Sequence, residues 1–172
     1  DAEDLQGLQS SLELCVAARV MLIYNLWTPA GLTNGAMGYV RGFVWPQGGN
    51  PAAAASTLRV PLCVVVEFDE LNMGERSFFP GVPSRSKWVP IFLQSVNSTS
   101  ERDVKREGFP LVLAWSFTYW KAQGMTLRRA RVRLTAKTAA MAGIGLVACS
   151  RVRHPRDIVF DFELPDWDVF QR

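Results

Sequence analysis

The sequence predicts a small β-barrel and an α/β part, in two stretches: residues 1–105 for the barrel and its flanking strands, 106–172 for the α/β part. Three observations predict it. Apolar and polar residues alternate in short runs through the first stretch, each closed by Gly, Pro or Asn, with no helical period. The polar run Asn97 to Glu107 (NSTSERDVKRE) marks a boundary. Beyond it strand-like and helix-like segments alternate, which is the α/β pattern.

Element by element, Ser11–Val16 (SLELCV) alternates, and Arg19–Asn25 (RVMLIYN) is β-rich until Thr28-Pro29-Ala30-Gly31 breaks it. Asn34-Gly35 is a turn dipeptide, because both residues tolerate positive φ. Gly38–Trp45 alternates as a twisted, half-buried strand, and Pro46–Ser56 is a loop by composition. Leu58–Phe68 is a long apolar strand whose Pro61 fits an edge or a bulge. A loop over Asn72–Ser86 and a strand over Lys87–Val96 complete four or five strands, enough for a small barrel. In the second stretch Pro110–Ala114 is a buried strand leading into a helix through Ala122, with Gly124 as its C-terminal glycine. Leu127–Leu134 alternates apolar residues with Arg as a strand with one basic face. The second half of Ala139–Arg151 is helical, ending before Pro155, and Asp157–Phe162 is a last strand.

The chain has 172 residues, 48% hydrophobic and 20% charged, with a net charge of +3. That apolar content excludes a disordered chain. No apolar run approaches the roughly 18 residues of a membrane span. Cys15, Cys63 and Cys149 are few, odd in number and set in apolar runs, so core packing in a reducing, intracellular setting is expected rather than disulfides. The acidic, polar start is no signal or transit peptide. Asp1 is not a natural start residue and suggests a processed or truncated chain.

The mild net charge is an average. Between Glu107 and Asp157 there is no acidic residue, while Lys121, Arg128, Arg129, Arg131, Arg133, Lys137, Arg151, Arg153 and Arg156 all lie there. Such a block meets phosphate or nucleic acid, or else acidic residues elsewhere in the fold or on a partner. Charge alone leaves both open.

Val64–Glu70 (VVVEFDE) has the form of an Mg²⁺-binding strand end, yet no GxxxxGK[ST] loop accompanies it. A solvated strand end is expected instead. His154 is the single histidine, which argues against a zinc site or a His-based triad. Lys121, Gln123, Gly124 and Thr126 gather charged, amide, backbone and hydroxyl donors where a helix ends, a grouping suited to phosphate oxygens. Ser150-Arg151-Val152-Arg153 is a second cluster, its arginines capable of bidentate phosphate contacts. Either is also an ordinary helix C-terminus, where cations are favoured.

Taken in order, these segments resemble the Pif-type DNA helicases, superfamily 1B enzymes that move 5′ to 3′ on single strands. Leu14–Leu22, Asn25-Leu26 and Gly31–Gly38 are similar to the family's L-x-V-G-A-x-V-M-L-x-x-N-L and G-L-V-N-G-x-x-G-x-V runs. Pro61–Asp69 resembles P-L-x-V-x-V-x-F-D, and Val89-Pro90-Ile91 its V-P-I strand. Phe109–Trp115 with Lys121–Thr126 resembles helicase motif V. Leu146–Arg153 resembles motif VI, Y-V-A-L-S-R-V/A-R.

The resemblance implies the C-terminal half of a RecA-like domain, an incomplete P-loop NTPase architecture, carrying the barrel as an insert. It makes Arg151 the catalytic residue, an arginine finger on the γ-phosphate. Lys121, Gln123, Gly124, Thr126 and Arg153 would face nucleotide or DNA, and Trp120, Arg128, Arg129, Arg131 and Asn34 would line the DNA path. Asp69 falls in the insert, away from any metal. ATP and Mg²⁺ would be bound by the parent helicase and not by this chain alone. The implied partners are single-stranded DNA and a missing N-terminal RecA-like domain, or a protein covering the open sheet. The implied compartment is intracellular, the nucleus or mitochondrion if the source is a eukaryote.

Three positions depart from the family pattern: Ala17 replaces Gly, Trp120 replaces His and Cys149 replaces Leu. Without a phosphate-binding loop the chain is expected to be a helicase fragment, inactive alone. A non-enzymatic remnant serving as a scaffold subunit, with Trp27, Trp45, Trp88, Trp115 and Trp167 supplying an interface, is the alternative. A stand-alone single-strand-binding module is a third.

Overall fold

The computed structural model describes residues 7–9, 11–46, 60–97, 105–135, 138, 141 and 143–161. The chain is mixed α/β and divides into two compact units, 1–115 and 116–172.

In the first unit, β1 (Arg19–Leu22), β2 (Met37–Val44), β3 (Cys63–Phe68), β4 (Trp88–Phe92) and β7 (Leu111–Leu113) form one antiparallel sheet in the order β4-β3-β2-β1-β7. A separate hairpin pairs β5 (Gln94–Asn97) with β6 (Lys105–Gly108). Among the described residues no pairing joins β4 to β7, so the sheet runs open from edge to edge. Alternation assigns its faces. Val20, Leu22, Val40, Val64, Val66, Phe68, Val89, Ile91 and Leu111 turn inward and are buried together. Arg19, Tyr39, Glu67 and Trp88 stand in one cross-strand row on the other face.

The register of β2 against β3 slips between Val40 and Gly42. Arg41 is the extra residue of this bulge, and it reverses the parity of the strand. Phe43 therefore packs against the core, although simple alternation from Tyr39 would point it outward. Gly38 is required by close approach: a Cβ there would lie 2.4 Å from the Glu67 carbonyl oxygen. At the expected turn only Gly35 takes positive φ, +94°. Asn34 keeps an ordinary φ, and its N–H donates to Asn25 Oδ1 at 2.8 Å.

Several elements are shorter than the sequence suggests. Ser11–Cys15 has no regular structure, and the run from Arg19 is a strand only to Leu22. Of the strand expected over Leu58–Phe68, residues 58 and 59 lie outside the described residues, and the described part begins at Cys63, beyond Pro61, which has no N–H to give a ladder. The single strand expected over Lys87–Val96 is two, β4 and β5, separated at Leu93. The compact units divide after Trp115 rather than at 105/106, because β6 pairs with β5 and β7 pairs with β1. The loop at 47–56 and the polar run at 98–104 lie outside the described residues.

The second unit holds α1 (Tyr119–Ala122), β8 (Ala130–Val132), α2 (Ile144–Cys149) and β9 (Ile158–Phe160). β8 and β9 pair in parallel, with α2 in the connection between them. Val132 and Leu134 pack with Ile144 and Ala148, flanked by Tyr119, Ile158 and Phe160. Among the described residues no helix is long and apolar enough to cross a membrane.

Of the cysteines, only Cys63 is buried in a core; Cys15 and Cys149 are exposed, and all three are free thiols. This corrects the expectation of core packing for the other two. Cys15 precedes the turn at Val16-Ala17, outside the sheet, and Cys149 lies off the α2 face that carries Ile144 and Ala148. Burial pushes the Cys63 thiol up from its ordinary value, so it stays protonated at neutral pH.

Candidate nucleotide- and nucleic-acid-facing site

The second unit brings the two sequence clusters together through main-chain geometry. α1 buries Ala122 and leaves Trp120 and Lys121 exposed. It stops at Gln123, whose extended ψ of 128° breaks the helical path. Gly124 then turns the chain with φ +81°, a conformation open to glycine without steric cost. The Met125 N–H returns to the Ala122 carbonyl at 3.0 Å, and Thr126 is exposed.

From there the chain meets the end of α2. The Leu127 N–H donates to the Arg151 carbonyl at 2.7 Å, and Leu127 bridges Val152 in parallel. The Arg151 guanidinium closes the same junction. Its Nε donates to the Val147 carbonyl at 3.0 Å, Nη1 to the Met125 carbonyl at 3.4 Å and Nη2 to Ser150 Oγ at 2.7 Å. All three acceptors are neutral oxygens, and among the described residues no carboxylate pairs with this half-buried cation. Arg153 and His154 are exposed just beyond.

The basic strand is a different environment. Arg131 pairs with Asp161, and Arg129 lies 4.0 Å from Asp157. Both acids flank β9, so the parallel pairing of β8 with β9 places them beside the arginines. Alternation turns Arg131 to the face opposite Ala130 and Val132, which pack into the core. A shallow groove of about 450 Å³ opens there, with Arg129, Arg131, Arg156, Asp157 and Asp161 in its lining. Part of the acid-free block thus meets acids within the fold. Arg128 is exposed. Asn34 belongs to the first unit.

Asp69 follows the end of β3 and is bound by Arg19, whose Nη1 donates to Oδ1 at 2.8 Å and whose Nη2 reaches Oδ2. Lys87 Nζ donates to the Asp69 carbonyl at 2.9 Å. The acidic strand end is therefore part of a surface ion pair. Among the described residues no three His, Cys, Asp or Glu side chains gather as a metal site. Sequence reasoning missed the Met125 and Val147 carbonyls, since main-chain acceptors carry no residue signature. It missed Asp157 and Asp161 as partners because the two strands they join are far apart in the chain.

No family model matches the chain. In sequence it is 33% identical over 153 residues to the human ATP-dependent DNA helicase PIF1, covering 88% of this chain and 20% of that protein. In fold it is similar to the Pif1 helicase of Candida albicans, with a TM-score of 0.60 at 24% identity over 95% of this chain and 36% of the other. It is also similar to the Bacteroides Pif1 helicase solved with ADP-AlF3 and single-stranded DNA, with a TM-score of 0.56 at 24% identity, covering 90% and 30%. The fold and the ordered motifs are similar to one region of Pif1-type DNA helicases. The chain carries a Pif1-type helicase C-terminal region. It spans about one fifth of the length of the human relative.

Proposed function

We propose that the chain contributes the arginine finger and part of the single-strand DNA path to a Pif-type ATP-dependent DNA helicase, and that it is inactive alone. In this reading residues 1–105 are the small barrel insert with its flanking strands and residues 106–172 are the C-terminal half of a RecA-like domain. The observation that carries it is Arg151: a half-buried guanidinium whose acceptors are neutral oxygens. Buried charge is ordinarily matched by opposite charge, and an anion would complete this one.

ATP and Mg²⁺ supply the phosphoryl-transfer chemistry in such helicases. The residues here fit only one corner of that ligand, since the sequence holds no GxxxxGK[ST] loop. Arg151 would meet the terminal phosphate and stabilise its charge. Lys121, Gln123, Gly124, Thr126 and Arg153 would lie between nucleotide and strand. Trp120, 56% exposed, would stack on bases without regard to sequence. Arg128, Arg129 and Arg131 would raise the positive potential along the strand, and Asn34 would flank the DNA from the insert. The protein would work where DNA is, which in a eukaryote is the nucleus or mitochondrion.

A second reading, a non-enzymatic scaffold subunit, is favoured by Leu146 at 74% exposed on α2 and Trp115 at 68%. One set of measurements on this chain separates them. The helicase reading expects single-stranded DNA binding that weakens steeply with salt, a slope reduced by about 1 in Arg128→Ala, and no ATP turnover. Salt-insensitive or absent DNA binding defeats the DNA-path assignment and leaves the scaffold. ATP turnover by the pure chain defeats the claim that it is incomplete.

A further inference from the structure

We propose that Asp157 and Asp161 mask the basic strand: they offset Arg129 and Arg131, so that a phosphate strand is gripped in the second unit chiefly by Lys121, Arg128, Arg153 and Arg156. The proposal rests on the single-strand reading above and divides the cations of that reading into two sets. It also adds Arg156, which neither motif contains.

The two sets differ in what stands beside them. Arg131 Nε donates to Asp161 Oδ1, and Arg129 Nε lies 4.0 Å from Asp157 Oδ1. Among the described residues Lys121, Arg128, Arg153 and Arg156 make no ion pair, and all four are exposed. Arg156 lines the same groove as the paired arginines, so masked and unmasked cations share one surface there. Arg128 and Arg129, neighbours in sequence, fall on opposite sides of the division.

The acids are the fixed members of these pairs. The side chains of Asp161 and Asp157 are 25% and 23% exposed, whereas those of Arg131 and Arg129 are 78% and 87%. The Asp161 N–H donates to the Val132 carbonyl at 2.9 Å and the Asp157 N–H to the His154 carbonyl at 3.0 Å, which pins each acid to the fold. A carboxylate so placed does not swing away from an approaching polyanion, and deserting it would strand a mostly buried charge. Arg131 keeps donors beyond Nε, so a phosphate need not break the pair to touch it. What the phosphate meets is a pair of zero net charge, and repulsion from the fixed acid offsets the attraction of the arginine.

Binding of a fluorescein-labelled oligothymidylate by the full 172-residue chain, followed by anisotropy across a salt series, tests this. Asp161→Asn, which keeps the shape and removes the charge, should raise affinity about 5-fold at low salt and steepen the salt slope by about 1. Asp157→Asn should do the same to a smaller extent, since its arginine is the more distant partner. Arg156→Ala should reduce the slope of the parent chain by about 1. Arg131→Ala should reduce it by about 1 in the Asp161→Asn background and by less in the parent, a coupling that independent residues do not show. Equal losses in the two backgrounds, or a folded Asp161→Asn that binds as the parent does, overturn the mask and leave the single-strand reading standing. Were Asp161→Asn unfolded, Asp157→Asn decides on the same terms, with Arg129→Ala as its partner. An Arg156→Ala slope equal to that of the parent overturns the assignment of Arg156. Absence of binding by the parent and by both asparagine variants overturns the single-strand reading and the mask together.

Discussion

Arg19 reaches across from β1 and grips both carboxylate oxygens of Asp69 while its guanidinium carbon lies 4.5 Å from the centroid of the Tyr39 ring. The pair ties the first strand of the sheet to the end of the third. The Asp69 hydrogen bond holds the Arg19 guanidinium above its ordinary pKa, so it is charged throughout the working pH range. The Arg19 side chain is 17% exposed and that of Asp69 45%, so the ion pair itself is largely screened. Asp69→Asn should cost about 0.5–1 kcal/mol in urea unfolding. Arg19→Ala should cost more, because it also uncovers the Tyr39 ring. Equal losses would mean that the packing on Tyr39 contributes nothing.

Ala17 takes φ +69°, the one positive-φ non-glycine among the described residues. The conformation is fixed from both sides, by the Ala17 N–H on the Val40 carbonyl at 2.8 Å and the Ala18 N–H on the Cys15 carbonyl at 3.1 Å. A left-handed alanine is strained by about 1–2 kcal/mol. Part of that is offset by the freedom glycine brings to the unfolded chain. Ala17→Gly should stabilise by about 0.5–1 kcal/mol, read as a higher denaturation midpoint at unchanged slope. A lower midpoint would refute the strain.

Gly38 and Gly42 lie on one strand and should answer oppositely to alanine. A Cβ at Gly38 meets the Glu67 carbonyl at 2.4 Å and Val66 Cγ1 at 2.7 Å, whereas at Gly42 nothing lies within 4 Å. Gly38→Ala must push β2 from β3 and should cost about 1–3 kcal/mol. Gly42→Ala should be neutral or slightly stabilising. Thermal melts of the two variants decide; a Gly38→Ala melt that matches the parent would contradict the close approach.

Native-state thiol labelling should modify Cys15 and Cys149 and spare Cys63, which reacts only on unfolding. Burial raises the folded Cys63 pKa above its unfolded value, so the folded state favours the protonated thiol. The stability from that preference is whole below about pH 8.5 and lost as pH rises through the folded value. Cys63→Ala should flatten that alkaline slope in urea titrations across pH 8–10.5. An unchanged slope would assign it to other groups.

What the residues revealed in advance was local and periodic. Gly124 was legible as a helix end because only a left-handed turn needs it, and it has φ +81°. Ala17 was legible as a departure at a glycine position, and there the backbone is indeed left-handed. The bulge at Arg41 was not legible, since one extra residue inside an alternating run leaves every residue type plausible. The strand's start at Cys63 rather than at Val60 was not legible, because Pro61 was treated as tolerable within the ladder. At the site, the clusters around Gln123 and Arg151 were visible as residue types suited to phosphate. Their meeting was not, because it is made by carbonyls and by the Leu127 N–H. The acids that answer Arg129 and Arg131 lie just past the end of the acid-free block, and pairing of β8 with β9 is what brings them back.

The junction of Leu127 with Arg151 is made by the backbone, and this sets what the two motifs can inherit. Replacements beside it change no atom that holds it, and Trp120 and Cys149, both departures from the family pattern, are both exposed. Drift in side-chain identity is thus permitted on either flank. A gained or lost residue between Gly124 and Leu127 would carry the amide past its acceptor, so the junction depends on spacing more than on which side chains flank it.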